Sequence, residues 1–163
     1  MDAGFTEYVT ARAGWLRKVA YLLCGDWHRA DDLVQSAITK LYTNWQRAGR
    51  ADNVDAYARR TLVNTFLAEQ RTSWWRRVDL RHADDPPAAV APDVEAALDL
   101  RAALERLPAR QRATIVLRYF CDLPVTDTAR ALGCAEGTVK SQTAKAVDAL
   151  RELLREPIPE GRG

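Results

Sequence analysis

The first 78 residues contain no proline, and their apolar residues recur at the spacing of a helix rather than a strand. Ala30, Leu33, Val34, Ala37, Ile38, Leu41, Tyr42 and Trp45 fall at i, i+3, i+4, i+7, i+8, i+11, i+12 and i+15. They therefore form one stripe of a helix, with Asp31, Asp32, Gln35 and Lys40 off it. Phe5, Val9, Leu16, Val19, Ala20 and Leu23 trace an earlier helix that ends near Gly25, and Asp26 is placed to cap the next one. A third helix runs from about Val54 to Trp75, with Val54, Tyr57, Ala58, Leu62 and Phe66 turned inward. Three helices of this length enclose one modest core.

The pattern breaks after residue 78. Asp84-Asp85-Pro86-Pro87-Ala88-Ala89 combines acids, prolines and small residues without apolar periodicity. Proline blocks a helix and favours extended backbone before it, so residues 79–92 read as a flexible acidic Pro/Ala linker. Helical spacing returns in Val94 to Leu107, and Pro108 suits the first turn of a helix reaching about Phe120. A short helix, Val125 to Leu132, stops at Gly133, and a last one spans about Glu136 to Arg155. The expected fold is all-α: two small helical bundles, 1–78 and 93–156, joined by the linker and followed by a tail, 157–163.

Ala129, Gly133 and Val139 have the spacing of a helix-turn-helix. A small residue at 129 allows two helices to approach, Gly133 supplies a left-handed turn, and Val139 fills the gap between them. Thr138, Lys140, Ser141, Gln142 and Lys145 offer donors and acceptors near the start of the second helix, the end that enters a major groove. A solvated amphipathic helix is the plainer explanation of the same residues. Ala135, just before Glu136, is a poor N-cap and forgoes ~0.5–2 kcal/mol.

Net charge is only +2, so the total decides little, but charge is sorted along the chain. Six arginines face two acids from Arg59 to His82, whereas Asp79 to Glu95 carries five acids and one arginine. A locally basic helix beside an acidic segment is a candidate nucleic-acid face. Cys24, Cys121 and Cys134 are widely spaced, which favours buried thiols over a disulfide framework or a zinc site. With two histidines, no Gly-rich phosphate loop and no clustered nucleophile and base, no enzymatic activity, cofactor or metal is expected. Met1 to Tyr8 lacks the basic start of a signal peptide, and no apolar run approaches a membrane span.

The runs Leu107-Pro108-Ala109-Arg110-Gln111-Arg112, Leu117-Arg118-Tyr119-Phe120 and Glu136-Gly137-Thr138-Val139-Lys140-Ser141 resemble domain four of extracytoplasmic-function (ECF) sigma factors. Asp31-Asp32-Leu33-Val34-Gln35 resembles the acidic polymerase-binding motif of their domain two, and the basic helix with Asn64 resembles their −10 segment. The resemblance implies a sigma factor that brings core RNA polymerase to promoter DNA in the cytoplasm, with no membrane partner. It also raises an anti-sigma factor as a regulator.

By the same resemblance, Asp31, Asp32, Leu33 and Gln35 dock on polymerase. Arg59, Arg60, Asn64, Arg71, Trp74, Trp75, Arg76 and Arg77 address the −10 DNA, although packing against the bundle explains the tryptophans equally well. Arg110, Arg112, Arg118, Thr138, Lys140, Ser141, Gln142 and Lys145 address the −35 DNA. Four positions depart from the family pattern: Ser36, Ala68, Pro124 and the run Gln142-Thr143-Ala144-Lys145. The last of these puts the usual −35 preference in doubt. The alternative is a stand-alone helix-turn-helix regulator, which needs a ligand pocket or dimer interface in its first half.

Overall fold

Asp26 does cap the helix after it. Its carboxylate accepts from the His28 N–H at 2.9 Å, and the apolar stripe beyond it is wound as α2, Trp27–Thr43. Ala30, Leu33, Val34, Ala37 and Leu41 are buried there, facing α1, Ala3–Cys24. The computed structural model describes residues 3–50, 53–80 and 96–155, and within them the side chains of 3–50, 53–72 and 99–155. Every secondary-structure element among the described residues is helical.

The stripe does not run unbroken to Trp45. Asn44 turns both its backbone N–H and its side-chain amide onto the Lys40 carbonyl, which ends α2. A one-turn helix, α3 (Trp45–Gly49), comes next. Trp45 still reaches the core, its ring 5.4 Å from that of Phe5. After it, α4 spans Val54–Leu80, longer than its apolar pattern implies and continuing through the first two positions of the expected linker. Tyr8 donates to Asp55 at 2.6 Å and Arg12 to the same oxygen at 3.0 Å, which pins the start of α4 to α1. The rest of the linker and the tail 157–163 lie outside the described residues.

In the second half α5 is Ala96–Glu105 and α6 is Ala109–Ile115. Pro108 precedes α6 as its N-cap, with ψ 149°, rather than entering the first turn. The helix beyond it is not uniform, contrary to the single run to Phe120 that the spacing implies. Val116–Phe120 winds as a π-helical turn, with the Cys121 N–H reaching back to the Val116 carbonyl at 2.9 Å. Such turns often mark a packing constraint or a functional position. Here the turn leaves Val116 and Leu117 buried while Tyr119 and Phe120 are exposed.

α7 (Val125–Leu132) and α8 (Glu136–Arg155) make the helix-turn-helix. Gly133 joins them at φ 69° and ψ 38°, its N–H on the Ala129 carbonyl at 2.8 Å. Ala129 and Val139 are both buried. A Cβ at residue 133 would meet nothing within 4 Å, so only the backbone resists a side chain there. Gly133→Ala is expected to cost about 1 kcal/mol, seen as a small drop in melting temperature with the fold retained.

The two halves do not sit apart. α4 packs on α2 along one side and on α6 and α7 along the other, while α1 touches α5 and α6. Ala113, Val116, Leu117, Leu123, Ala131 and Leu132 join the first-half residues in one apolar cluster. The two helical bundles that the sequence implies are thus both present, and they pack on one another. A smaller cluster of Leu104, Leu107, Ile115 and Ala146 closes the second half.

Candidate nucleic-acid interface

The acidic motif on α2 splits by helix geometry. Asp31, Asp32 and Gln35 are exposed, but Leu33 is fully buried. Leu33 therefore anchors α2 in the core rather than lying on the surface with the other three. Asp31 is held by Arg17, Nε to Oδ1 at 2.6 Å, and this hydrogen bond keeps its carboxyl below the ordinary carboxylate range. Arg17 in turn lies 4.3 Å over the Trp27 ring, which stacks on Tyr21 at 3.8 Å. Asp32 forms no ion pair among the described residues.

On α4, Arg60, Asn64 and Arg71 lie at i, i+4 and i+11, which is one helix face. All three are exposed, and none makes an ion pair among the described residues. Arg59 points elsewhere: its guanidinium lies 5.7 Å from the Trp15 ring and its Nε is buried without a partner. Arg59 is half-buried and so less freely presented than Arg60, Asn64 and Arg71. Trp74, Trp75, Arg76 and Arg77 belong to the last turns of α4, and their side chains lie outside the described residues.

In the second half, two of the three expected arginine anchors face inward. Arg112 donates to the Leu23 carbonyl at 2.6 Å, the Leu107 carbonyl at 2.9 Å and the Glu105 carbonyl at 3.2 Å. Burial pulls its guanidinium below the usual arginine range. Arg118 donates to the Leu123 carbonyl at 2.8 Å, which holds the turn after the π segment. Arg112 is thus tied to three backbone carbonyls and Arg118 to one, and both are only partly exposed, so neither is freely presented to a ligand. Arg110 remains exposed, with one long bond to the Leu132 carbonyl at 3.4 Å. The sequence does carry a signal, on helical spacing, for the partial burial of Arg112 and Arg59. Arg112 stands one turn before buried Val116, and Arg59 one turn before buried Leu62 and Val63.

α8 presents the clearest exposed polar face. Val139 and Ala146 are fully buried, fixing which side of the helix meets α7 and α6. Thr138, Ser141, Gln142 and Lys145 cluster away from that side, and all but the half-buried Gln142 are exposed. Lys140 is also exposed but is turned ~200° from Thr138, so it flanks this cluster. Thr126 on α7 donates to the Glu136 carboxylate at 3.2 Å, helping to hold a helix start that lacks a capping residue. Among the described residues no helix is long and apolar enough to cross a membrane, and no group of acids, histidines or cysteines is arranged to hold a metal. Cys24 is partly buried, and desolvation pushes its thiol up to about 11, so it stays protonated at neutral pH.

A helix-turn-helix with an open polar face, packed on a helical bundle carrying an exposed basic-polar face and an acidic one, is the architecture expected of a two-part DNA-binding protein. Comparison with known proteins places it further. Residues 8–76 match the model of Sigma-70 region 2, and residues 97–150 match Sigma-70, region 4. The chain is 36% identical over 156 residues to the RNA polymerase sigma-E factor of Streptomyces avermitilis, covering 92% of this chain and 84% of that one. It is 33% identical over 139 residues to the ECF RNA polymerase sigma factor SigM of Mycobacterium tuberculosis, covering 85% and 71%. Its fold resembles the sigma factor RpoE of Bartonella quintana, solved in complex with the anti-sigma factor NepR, at TM-score 0.79 and 27% identity over 96% of this chain and 100% of that one. The chain belongs to the ECF group of sigma-70 factors. It directs transcription initiation by RNA polymerase and is not an enzyme.

Proposed function

We propose a division of labour within that activity. Asp31, Asp32 and Gln35 dock on a basic face of core polymerase, with Leu33 holding their helix from beneath. Arg60 and Arg71 bind phosphates along the −10 segment, and Asn64, between them on the same face of α4, reads a base edge or an unstacked base. Trp74, Trp75, Arg76 and Arg77, further along the same helix, contact the −10 DNA as well. Thr138, Ser141, Gln142 and Lys145 enter the major groove at −35, while Lys140 and Arg110 hold the flanking backbone. We propose 1–78 and 93–156 as the working domains, the cytoplasm as their location, and an anti-sigma factor as regulator, the last because the Bartonella quintana relative binds one.

The observation that carries this reading is the pair of faces on α4 and α8. Each is polar and exposed, yet each is fixed by buried residues behind it. The test separates base from phosphate contacts in holoenzyme bound to promoter fragments. Gln142→Ala is expected to relax preference at one or two −35 base pairs, at ~1–3 kcal/mol each. Lys140→Ala should weaken all sequences alike and lower the salt slope by about 1. If neither variant changes −35 binding, α8 is not the reading helix.

A further inference from the structure

The start of α2 breaks a helix rule. Arg29 stands in its first turn, which holds no acid, although the macrodipole there favours negative charge. Arg29 is exposed and forms no ion pair among the described residues. With Ser36 and Lys40 of α2 it lines one wall of an open groove of ≈ 440 Å³, which lies wholly within the first half. Thr65, Ala68, Glu69 and Thr72 of α4 line the other wall. Lys40 is held in place there: its ammonium donates to the Thr65 hydroxyl at 3.2 Å, and that hydroxyl donates to the Thr61 carbonyl at 2.7 Å. Lys40 has no ion pair among the described residues either. Ser36 and Ala68, two of the positions that depart from the family pattern, are small uncharged residues on opposite walls.

The groove therefore carries two cations against one carboxylate, Glu69, with the Ser36 hydroxyl between the cations as a further donor. Such a set suits a phosphodiester. Its position fits as well. Ala68 and Thr72 stand one and two turns beyond Asn64 on α4, so the groove adjoins the face of Arg60, Asn64 and Arg71. On its far side Ser36 follows Gln35 of the acidic face. A basic surface of polymerase drawn to Asp32 is repelled by Arg29 and Lys40, whereas a nucleic-acid strand leaving the α4 face is drawn in.

We propose that this groove holds the sugar-phosphate backbone of the promoter strand captured by the α4 face, with Arg29 and Lys40 bound to its phosphates. The proposal rests on the −10 reading of α4 given above and adds a second wall, on α2, to that contact. No base is read there, so the groove strengthens capture of the strand without adding sequence preference. Glu69, the one acid among its lining residues, limits how tightly a phosphate is held.

The experiment uses holoenzyme assembled from the full chain and core polymerase, bound to promoter fragments whose −10 segment is unpaired. Arg29→Gln/Lys40→Gln keeps polar side chains in the groove and removes their charge. Promoter affinity should fall about tenfold, and the slope of log affinity against log salt should become shallower by about 1.5. Affinity for core polymerase and the melting temperature of the free chain should stay near the parent values. Glu69→Gln should move promoter affinity and salt slope in the opposite direction. A neutral methylphosphonate stepped along the −10 strand should weaken parent binding where the groove holds a phosphate, and that penalty should vanish in the double variant. A salt slope unchanged in the double variant, or a methylphosphonate penalty that persists in it, overturns the groove alone. Loss of polymerase affinity with promoter contacts intact also overturns it and gives the groove to polymerase. If Arg60→Ala/Asn64→Ala/Arg71→Ala leaves promoter binding unchanged, the −10 reading of α4 falls, and the groove with it.

Discussion

Val139→Asp is expected to unfold the helix-turn-helix half and abolish its binding to −35 duplex. Val139 is fully buried where α8 meets α7, so an introduced carboxylate loses its water there. A buried unpaired charge costs ~3–5 kcal/mol, and the lost apolar burial adds about 1.5–3 kcal/mol. Together these approach the ~5–15 kcal/mol that holds a whole domain. The introduced carboxyl is pushed above its unfolded value, so the penalty is full at neutral pH and eases as pH falls through that raised value. Thermal melts followed by circular dichroism at about pH 7 and pH 5 should show a large loss at the first and a smaller one at the second. A variant melting like the parent at both would mean that α8 packs differently.

The second large effect falls on activity with the fold intact. Asp31→Lys/Asp32→Lys reverses both exposed acids on α2, and core polymerase binding is expected to fall at least a hundredfold, with run-off lost. Truncating one partner of a buried charged contact costs about 2–5 kcal/mol, and reversal adds repulsion. Asp32 lies off the buried stripe with no ion pair, and Asp31 gives up only its exposed pair with Arg17, so stability should move by about 1 kcal/mol at most. Leu33→Ala gives the opposite pattern. It removes a fully buried side chain and should lower stability by about 2–5 kcal/mol. Measuring melting temperature and polymerase affinity for both variants separates the docking acids from the residue that holds them.

Local patterns were legible in the sequence. The α2 stripe, the Asp26 cap and the Ala129–Gly133–Val139 turn each come from short-range geometry, and the structure has all three. The direction of single arginines is harder to read. Arg59, Arg112 and Arg118 look like neighbouring basic surface, but a guanidinium can bury its stem on an apolar stripe and spend its donors on carbonyls. For Arg59 and Arg112, a place one turn from buried residues is the available clue. The π turn at Val116–Phe120 leaves no mark in the apolar spacing, which reads as one continuous helix. The contact between the halves is also hidden there, since it joins residues such as Leu23 and Arg112 that lie far apart in the chain. Periodicity reports which face of a helix is apolar, not which partner covers it.

On the proposed reading each half offers few DNA contacts, and the formal charge of +2 gives little general attraction to phosphate. Polymerase supplies the frame on which two weak contacts act together.

Run-off transcription with purified core polymerase, with and without this chain, asks in one step whether two DNA-reading faces work through one enzyme. Initiation from a defined promoter only when the chain is present, and lost when the −10 or −35 element is scrambled, is the expected result. Core polymerase that neither binds the chain nor gains promoter selectivity from it would contradict the two-face division of labour at its root.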